Sequence, residues 1–155
     1  MMVHLDAEIE KLLDSTGRHL LRLLQAEARL SYSELGRRVG LSTTAVIDRI
    51  HRLQDAGLIT GYYAALNREK LGLSVLAFVR LQTSPERYPA VLALIETLPA
   101  VLECHHVTGE ESFVLKVVVA SVAELEPLIE RFSRFGRTAT SIVMSSPVGK
   151  RPLPL

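Results

Sequence analysis

The sequence predicts an α+β protein in two parts, short helices first and then a β-α-β-β-α-β order. Three observations lead there. Up to about Ala56 the apolar residues recur at helical spacing and strand signals are absent. From Leu73 onward, β-branched alternating runs take turns with helical runs. Between them, Asn67 to Gly72 is polar and contains a Gly, as a linker does. The expected division is therefore 1–66, a linker at 67–72, and 73–155.

Composition removes several classes. A chain of 155 residues, 48% hydrophobic and 23% charged with net charge +1, is too apolar and too balanced for disorder. The single Cys104 cannot close an intramolecular disulfide, so a reducing, cytoplasmic setting is expected. One Cys and five scattered His give no zinc-type spacing, and no metal site is expected. Met1 to Glu10 carries acids where a signal peptide needs a basic start and an apolar core. No apolar run approaches the ~20 residues of a membrane helix.

The helices of the first part can be taken in turn. Leu20, Leu23 and Leu24 follow an i, i+3, i+4 pattern and mark one buried face. Ser31-Tyr32-Ser33-Glu34 is a Ser-x-x-Glu capping box, opening a short helix with Tyr32, Leu35 and Val39 on one side. Gly40 suits the left-handed turn that ends it. Ser42 caps the next helix, whose stripe is Val46, Ile50 and Leu53, and Gly57 closes it. Leu58 to Leu66 reads as a hairpin or extended arm around Gly61, with Tyr62 and Tyr63 expected to pack. Two helices joined by a short Gly-containing turn, with a third before them, is the helix-turn-helix plan.

The second part reads as a strand at Leu73 to Leu81 and a helix between about Arg87 and Leu98, with Val91, Leu92, Ile95 and Leu98 inward. Strands follow at Val101 to Thr108 and Ser112 to Val119. Ser121-Val122-Ala123-Glu124 is a second capping box. Its helix has Leu125, Leu128, Ile129 and Phe132 inward, and Pro127 predicts a kink or a later start. Gly136 is expected to end that helix, and Thr138 to Ser145 is the last strand. From Pro147 on, three of the seven prolines predict an irregular tail. The order βαββαβ is ferredoxin-like. Leu76 and Phe78 alternate with Val75, Ala77 and Val79, so both faces of the first strand are apolar, and the third strand repeats this. Two helices cover one face only, and a second copy of the chain is the simplest cover for the other.

The stretch Leu35-Gly36-Arg37-Arg38-Val39-Gly40-Leu41-Ser42, then Arg49-Ile50-His51-Arg52-Leu53, then Gly57-Leu58-Ile59-Thr60-Gly61-Tyr62, resembles the Lrp/AsnC family of transcription regulators. In the second part, Glu103-Cys104-His105-His106-Val107-Thr108-Gly109 is similar to that family's approach to its ligand loop. Gly136-Arg137-Thr138 with Thr140-Ser141 is similar to its last-strand entry. The resemblance runs from about Leu13 to Pro147. It implies a winged helix-turn-helix that binds double-stranded DNA and an ACT-like ferredoxin-fold sensor. It also implies dimers that associate into octamers and a small effector, commonly an amino acid, near contacts between dimers.

On a wheel with Val46, Ile50 and Leu53 inward, Thr44, Asp48, His51 and Arg52 face outward, and Thr43 lies in the first turn. Thr43, Thr44 and Asp48 are candidate base readers, Asp48 because a carboxylate can accept from cytosine. Ser42 joins the candidate set at the helix start. Arg37, Arg38 and Arg52 are candidate phosphate contacts, while Arg49 lies nearer the buried side and is expected to brace the domain. The family's effector loop reads Gly-Asp-x-Asp before an apolar residue; here it reads Gly109-Glu110-Glu111-Ser112-Phe113, with Ser112 in place of the second acid. Gly109, Glu110 and Glu111, with Thr138, Thr140 and Ser141, form the candidate effector set. His105 and His106 point to opposite strand faces and cannot chelate one metal together. Cys104 shares a face with His106 and reads as a small core residue.

The alternative of a different class is an enzyme on the same scaffold, as in sirohaem decarboxylases, which turn basic and His side chains on a tetrapyrrole. Against it, Arg37, Arg38, Arg49 and Arg52 are kept and no cluster of His and Arg marks the second part, so no catalytic residue and no cofactor are expected. Charge is not the obstacle to DNA binding that +1 suggests. Residues 1–66 carry 8 cations against 8 acids and residues 67–155 carry 10 against 9. Within 29–54, however, five Arg oppose only Glu34 and Asp48, a local +3. Modest non-specific attraction per protomer then makes paired half-sites important.

Overall fold

The computed structural model describes residues 7–155; of the acid-bearing start Met1 to Glu10, residues 1–6 lie outside them. The chain forms two compact units, one of residues up to Ala64 together with Val148–Leu155, the other Ala65–Pro147. The terminal segment thus groups with the first unit, where the sequence placed it in the second.

The first unit is helical: α1 Ala7–Leu12, α2 Ser15–Ala26, α3 Tyr32–Val39 and α4 Thr43–Asp55. Asp14 caps α2 by accepting from the Gly17 N–H at 2.7 Å. Ser31 caps α3 through the Glu34 N–H, and Ser42 caps α4 through the Ala45 N–H, each at 3.2 Å. Gly40 adopts φ 74° after α3, and the Leu41 N–H returns to the Gly36 carbonyl at 2.9 Å. Any side chain at Gly36 would run into the Leu41 carbonyl, so the tight turn between α3 and α4 needs Gly there. Leu20, Leu24, Leu35, Val46 and Ile50 form the main core, with Leu12, Leu21 and Leu53 beside it. Residues 58–66 contain neither helix nor strand, so of the two forms expected, hairpin or extended arm, the arm is the one found. On it Tyr63 is 81% exposed, against the expectation that it packs. The irregular tail lies along α2. Gln25 both accepts from the Leu153 N–H at 2.6 Å and donates to the Leu153 carbonyl at 3.2 Å, and Arg22 donates to the Leu155 carbonyl at 3.0 Å.

The second unit runs β1 Val75–Gln82, a 3-10 turn Pro85–Arg87, α5 Tyr88–Glu96, β2 Val101–His106, β3 Phe113–Val119, α6 Val122–Ser133 and β4 Arg137–Ile142. All strand pairs are antiparallel in the order β2-β3-β1-β4, the ferredoxin-like arrangement. The core joins Ala77, Val79, Leu81, Leu115 and Val117 to Val91 of α5 and to Leu125, Leu128 and Phe132 of α6. Both helices therefore cover one face.

Three local expectations change. Leu92 is exposed, because α5 turns Val91 inward and only partly buries Ile95, while Leu98, just past its end, is buried. Helix α6 runs through Pro127 from Val122 with no later start, since the fold tolerates one missing helix bond on its exposed side. Its cap is Arg134, not Gly136. Gly136 is required instead by close approach, because a Cβ there would strike the Gln82 carbonyl.

Candidate nucleic-acid interface and effector loop

Ser42, Thr43, Thr44, Asp48, His51 and Arg52 are all exposed along α4, opposite buried Val46, Ile50 and Leu53. The helical period alone places them there. The Ser42 hydroxyl is committed to the cap. Among the described residues Arg52 is ion-paired with neither Asp48 nor Asp55. Arg49 braces the unit, its two terminal nitrogens gripping the Asp14 carboxylate at 2.6 and 2.5 Å. The Arg49 hydrogen bonds, with the Gly17 N–H second, lower the Asp14 pKa to about 2.

Arg37 and Arg38 stand on the last turn of α3 and are 74% and 40% exposed. Both turn back onto Glu34. Arg37 grips the carboxylate with two nitrogens at 2.6 and 2.9 Å, and Arg38 Nε donates at 2.6 Å to the oxygen that Arg37 Nη2 already uses. Glu34 therefore does not complete the capping box. Its bonds to Arg37 first and Arg38 second bring its pKa down to about 2.

The loop 107–112 joins β2 to β3. Gly109 has φ 121° and open space around it. Gly109 and Glu110 are exposed, and Glu111 reaches Arg80 Nε of β1 at 3.7 Å. Arg80 also donates to Ser141 of β4 at 3.2 Å. The register explains what does not join them. Ser141 pairs with Phe78 and so faces away from the helices, whereas Thr138 and Thr140 pair with Leu81 and Val79 and face toward them. The three β4 hydroxyls thus split between two faces of one protomer and do not converge. Thr140 instead lines an open groove of about 500 Å³ between α6 and β4, with Glu126 and Glu130.

Ser112, where the family has its second acid, is a buried fastener. Its hydroxyl donates to the Thr83 carbonyl at 2.8 Å and accepts from the Thr83 N–H at 3.1 Å. Cys104 is half-buried against the helix-side core, and burial raises its thiol pKa. His106 stacks edge-on with Tyr88 on that face, while His105 lies on the other beside Glu103.

On the helix-free face, Leu76 and Val114 are half-buried and Phe78 is 38% exposed. Glu103, bonded to Lys116 at 2.8 Å, borders this patch, and Lys116 is the first cause of its lowered pKa. Arg80 is the site residue that sequence reading missed. Its signal was a cation in the middle of an otherwise apolar strand. Among the described residues no group of three or more His, Cys, Asp or Glu could hold a metal, and no helix is long and apolar enough to cross a membrane.

Comparison with known proteins gives this geometry a lineage. Residues 13–54 match the AsnC-type helix-turn-helix domain, and residues 76–153 match the Lrp/AsnC ligand binding domain. The HTH-type transcriptional regulator LrpA of Mycobacterium tuberculosis is 39% identical over 140 residues, covering 86% of this chain and 91% of that protein. The solved structure of LrpC from Bacillus subtilis superposes with a TM-score of 0.84 at 30% identity, over 89% of this chain and 99% of that one. A feast or famine regulatory protein of M. tuberculosis, solved with L-methionine, gives a TM-score of 0.81 at 39% identity, over 90% of this chain and 97% of that one. These relatives are regulators, which favours that reading over a decarboxylase. With both domains matched in order, the chain belongs to the Lrp/AsnC family of transcription regulators.

Proposed function

We propose that this chain is a sequence-specific DNA-binding transcription regulator acting in the cytoplasm, tuned by a small effector of the amino-acid class. The observation that carries the reading is the exposed face of α4, with Thr43, Thr44, Asp48 and Arg52 outward, next in sequence to the Arg37–Arg38 pair of α3. In the major groove, the early residues of α4 meet base edges. The guanidiniums of Arg37, Arg38 and Arg52 meet phosphates and fix the register. The helix-free sheet face, apolar at Leu76, Phe78 and Val114, is the surface through which two copies pair, and such dimers associate further into octamers. A dimer presents two recognition helices and offsets the modest charge of each.

The effector meets the loop 109–111. An acid there receives an ammonium group, and Arg80 with Ser141 receives a carboxylate. The L-methionine held by the M. tuberculosis relative supports this ligand class. Thr138 and Thr140, on the opposite face, fall outside this set within one protomer.

The test is a salt titration of affinity for duplex DNA. Arg38→Ala and Arg52→Ala should each weaken binding to every sequence and flatten the salt slope by about 0.9 per lost phosphate contact. Unchanged affinity and slope in both variants would refute the assignment.

A further inference from the structure

Glu34 is the acid nearest the candidate phosphate contacts on α3, and its placement is not that of an ordinary surface carboxylate. One oxygen, Oε1, is shared by two guanidiniums, from Arg37 Nη2 and Arg38 Nε at 2.6 Å each, and Oε2 takes Arg37 Nε at 2.9 Å. Arg37 and Arg38 are adjacent in sequence, so their like charges repel unless something holds them together. Glu34 stands three residues before one and four before the other, the two helical spacings at which side chains meet. The trio therefore carries a net charge of one, not two. Arg37 Nη1 and both terminal nitrogens of Arg38 are left unused by Glu34, with no hydrogen-bond partner among the described residues, on side chains that are 74% and 40% exposed.

We infer that Glu34 is a positioning and restraining residue for the phosphate contacts of α3. It clamps the two guanidiniums side by side and cancels one of their charges, which keeps affinity for arbitrary DNA low. This rests on the DNA-binding reading of Arg37 and Arg38. A DNA phosphate arriving here meets exposed donors that Glu34 leaves unused, but it gains one unit of charge and not two. Attachment to DNA then depends more on base contacts from α4 and on pairing of half-sites.

The experiment measures binding of the full-length protein to a random-sequence duplex across salt concentration. It compares wild type with Glu34→Gln, Arg37→Ala/Arg38→Ala and the control Glu27→Gln. Glu27 is an exposed acid just beyond α2, so its substitution makes the same charge change away from the pair. Glu34→Gln should bind more tightly at low salt, with a slope steeper by about 0.9 per protomer; between about 50 and 200 mM salt that is about 3.5-fold more affinity lost. The nitrogen-15 signals of the Arg37 and Arg38 Nε–H groups, sharp and shifted in the wild type, should move to free-arginine positions. Glu34→Gln indistinguishable from wild type, or no different from Glu27→Gln, overturns the inference. If the double Arg variant binds as well as wild type, the phosphate reading of α3 itself falls, a separate and distinguishable outcome.

Discussion

The chain contains two Ser-x-x-Glu sequences at helix starts, one in each unit, and they fold in opposite ways. At 31–34 the Ser half forms, with the Glu34 N–H on the Ser31 hydroxyl, and the Glu half is diverted to Arg37 and Arg38. At 121–124 the Ser121 hydroxyl makes no cap bond, and Glu124 reaches back to the Ala120 N–H at 3.1 Å. The difference lies three and four residues downstream. Glu34 has two arginines there, and a charge-assisted bond to a guanidinium outcompetes one to a backbone N–H. Glu124 has Pro127 and Leu128 there, neither of which donates, so its carboxylate turns back to the chain. A capping box is thus a contest whose result depends on the next helical turn. The contrast extends to the helix starts of the two units: side-chain caps from Asp14, Ser31 and Ser42 open α2, α3 and α4, while α6 begins with no side-chain cap and the sheet beside it is held by strand register and the buried Ser112 bonds.

The largest expected effect falls on the sheet unit. Ser112→Ala removes the hydroxyl that ties the β3 entry to Thr83 just past β1, leaving the Thr83 N–H and carbonyl without it. The expected loss is about 1–3 kcal/mol in urea unfolding, because partly buried backbone groups lose their partner. A change near zero would show that water replaces the hydroxyl and that register alone holds this corner.

Next comes the pair of Ser variants, which sharpens the comparison directly. Ser31→Ala should cost about 1 kcal/mol, the usual worth of a working N-cap. Ser121→Ala should stay within about 0.5 kcal/mol, as for a surface change that breaks no bond. Equal losses in the two would mean that the Ser121 hydroxyl caps in solution and that the two helix starts do not differ.

The legible parts of the molecule were those decided within a few residues. The stripe of Val46, Ile50 and Leu53, the Ser42 cap and the outward face of α4 follow from spacing alone, and all are where the sequence put them. The four strands and their order followed from alternation and the ferredoxin-like pattern. Illegible were the results of competition and long range. The diversion of Glu34 required weighing two acceptors against two cations. The split of Thr138 and Thr140 from Ser141 required knowing which residues of β1 they face. Arg80, drawn to Glu111 and Ser141, joins residues 31 and 61 positions away, a link no local pattern announces. Docking of the tail on Gln25 spans 128 positions and carries no periodic signal.

The smallest expected effect concerns how the helical unit's ion pairs respond to acid. Asp14 has an ordinary pKa of 3.8 when unfolded and about 2 when folded, chiefly because Arg49 bonds its carboxylate. A depressed folded value means that the native state favours the charged form. The stabilisation is complete above about pH 4 and drains away as the pH falls toward about 2. Both side chains are partly open to water, 27% exposed for Arg49 and 42% for Asp14, so screening holds the pair to under about 1 kcal/mol. The stability difference between wild type and Arg49→Ala, followed by urea unfolding, should be flat from pH 7 to about 5 and shrink below about 4. Glu34 titrates in the same acid window, but it is present in both proteins and drops out of that difference. A difference that stays constant down to about pH 2 would mean that Arg49 supports the unit by packing its side chain and not through Asp14. The bidentate Asp14–Arg49 pair would then add to the cap of α2 without stabilising the unit through its charge.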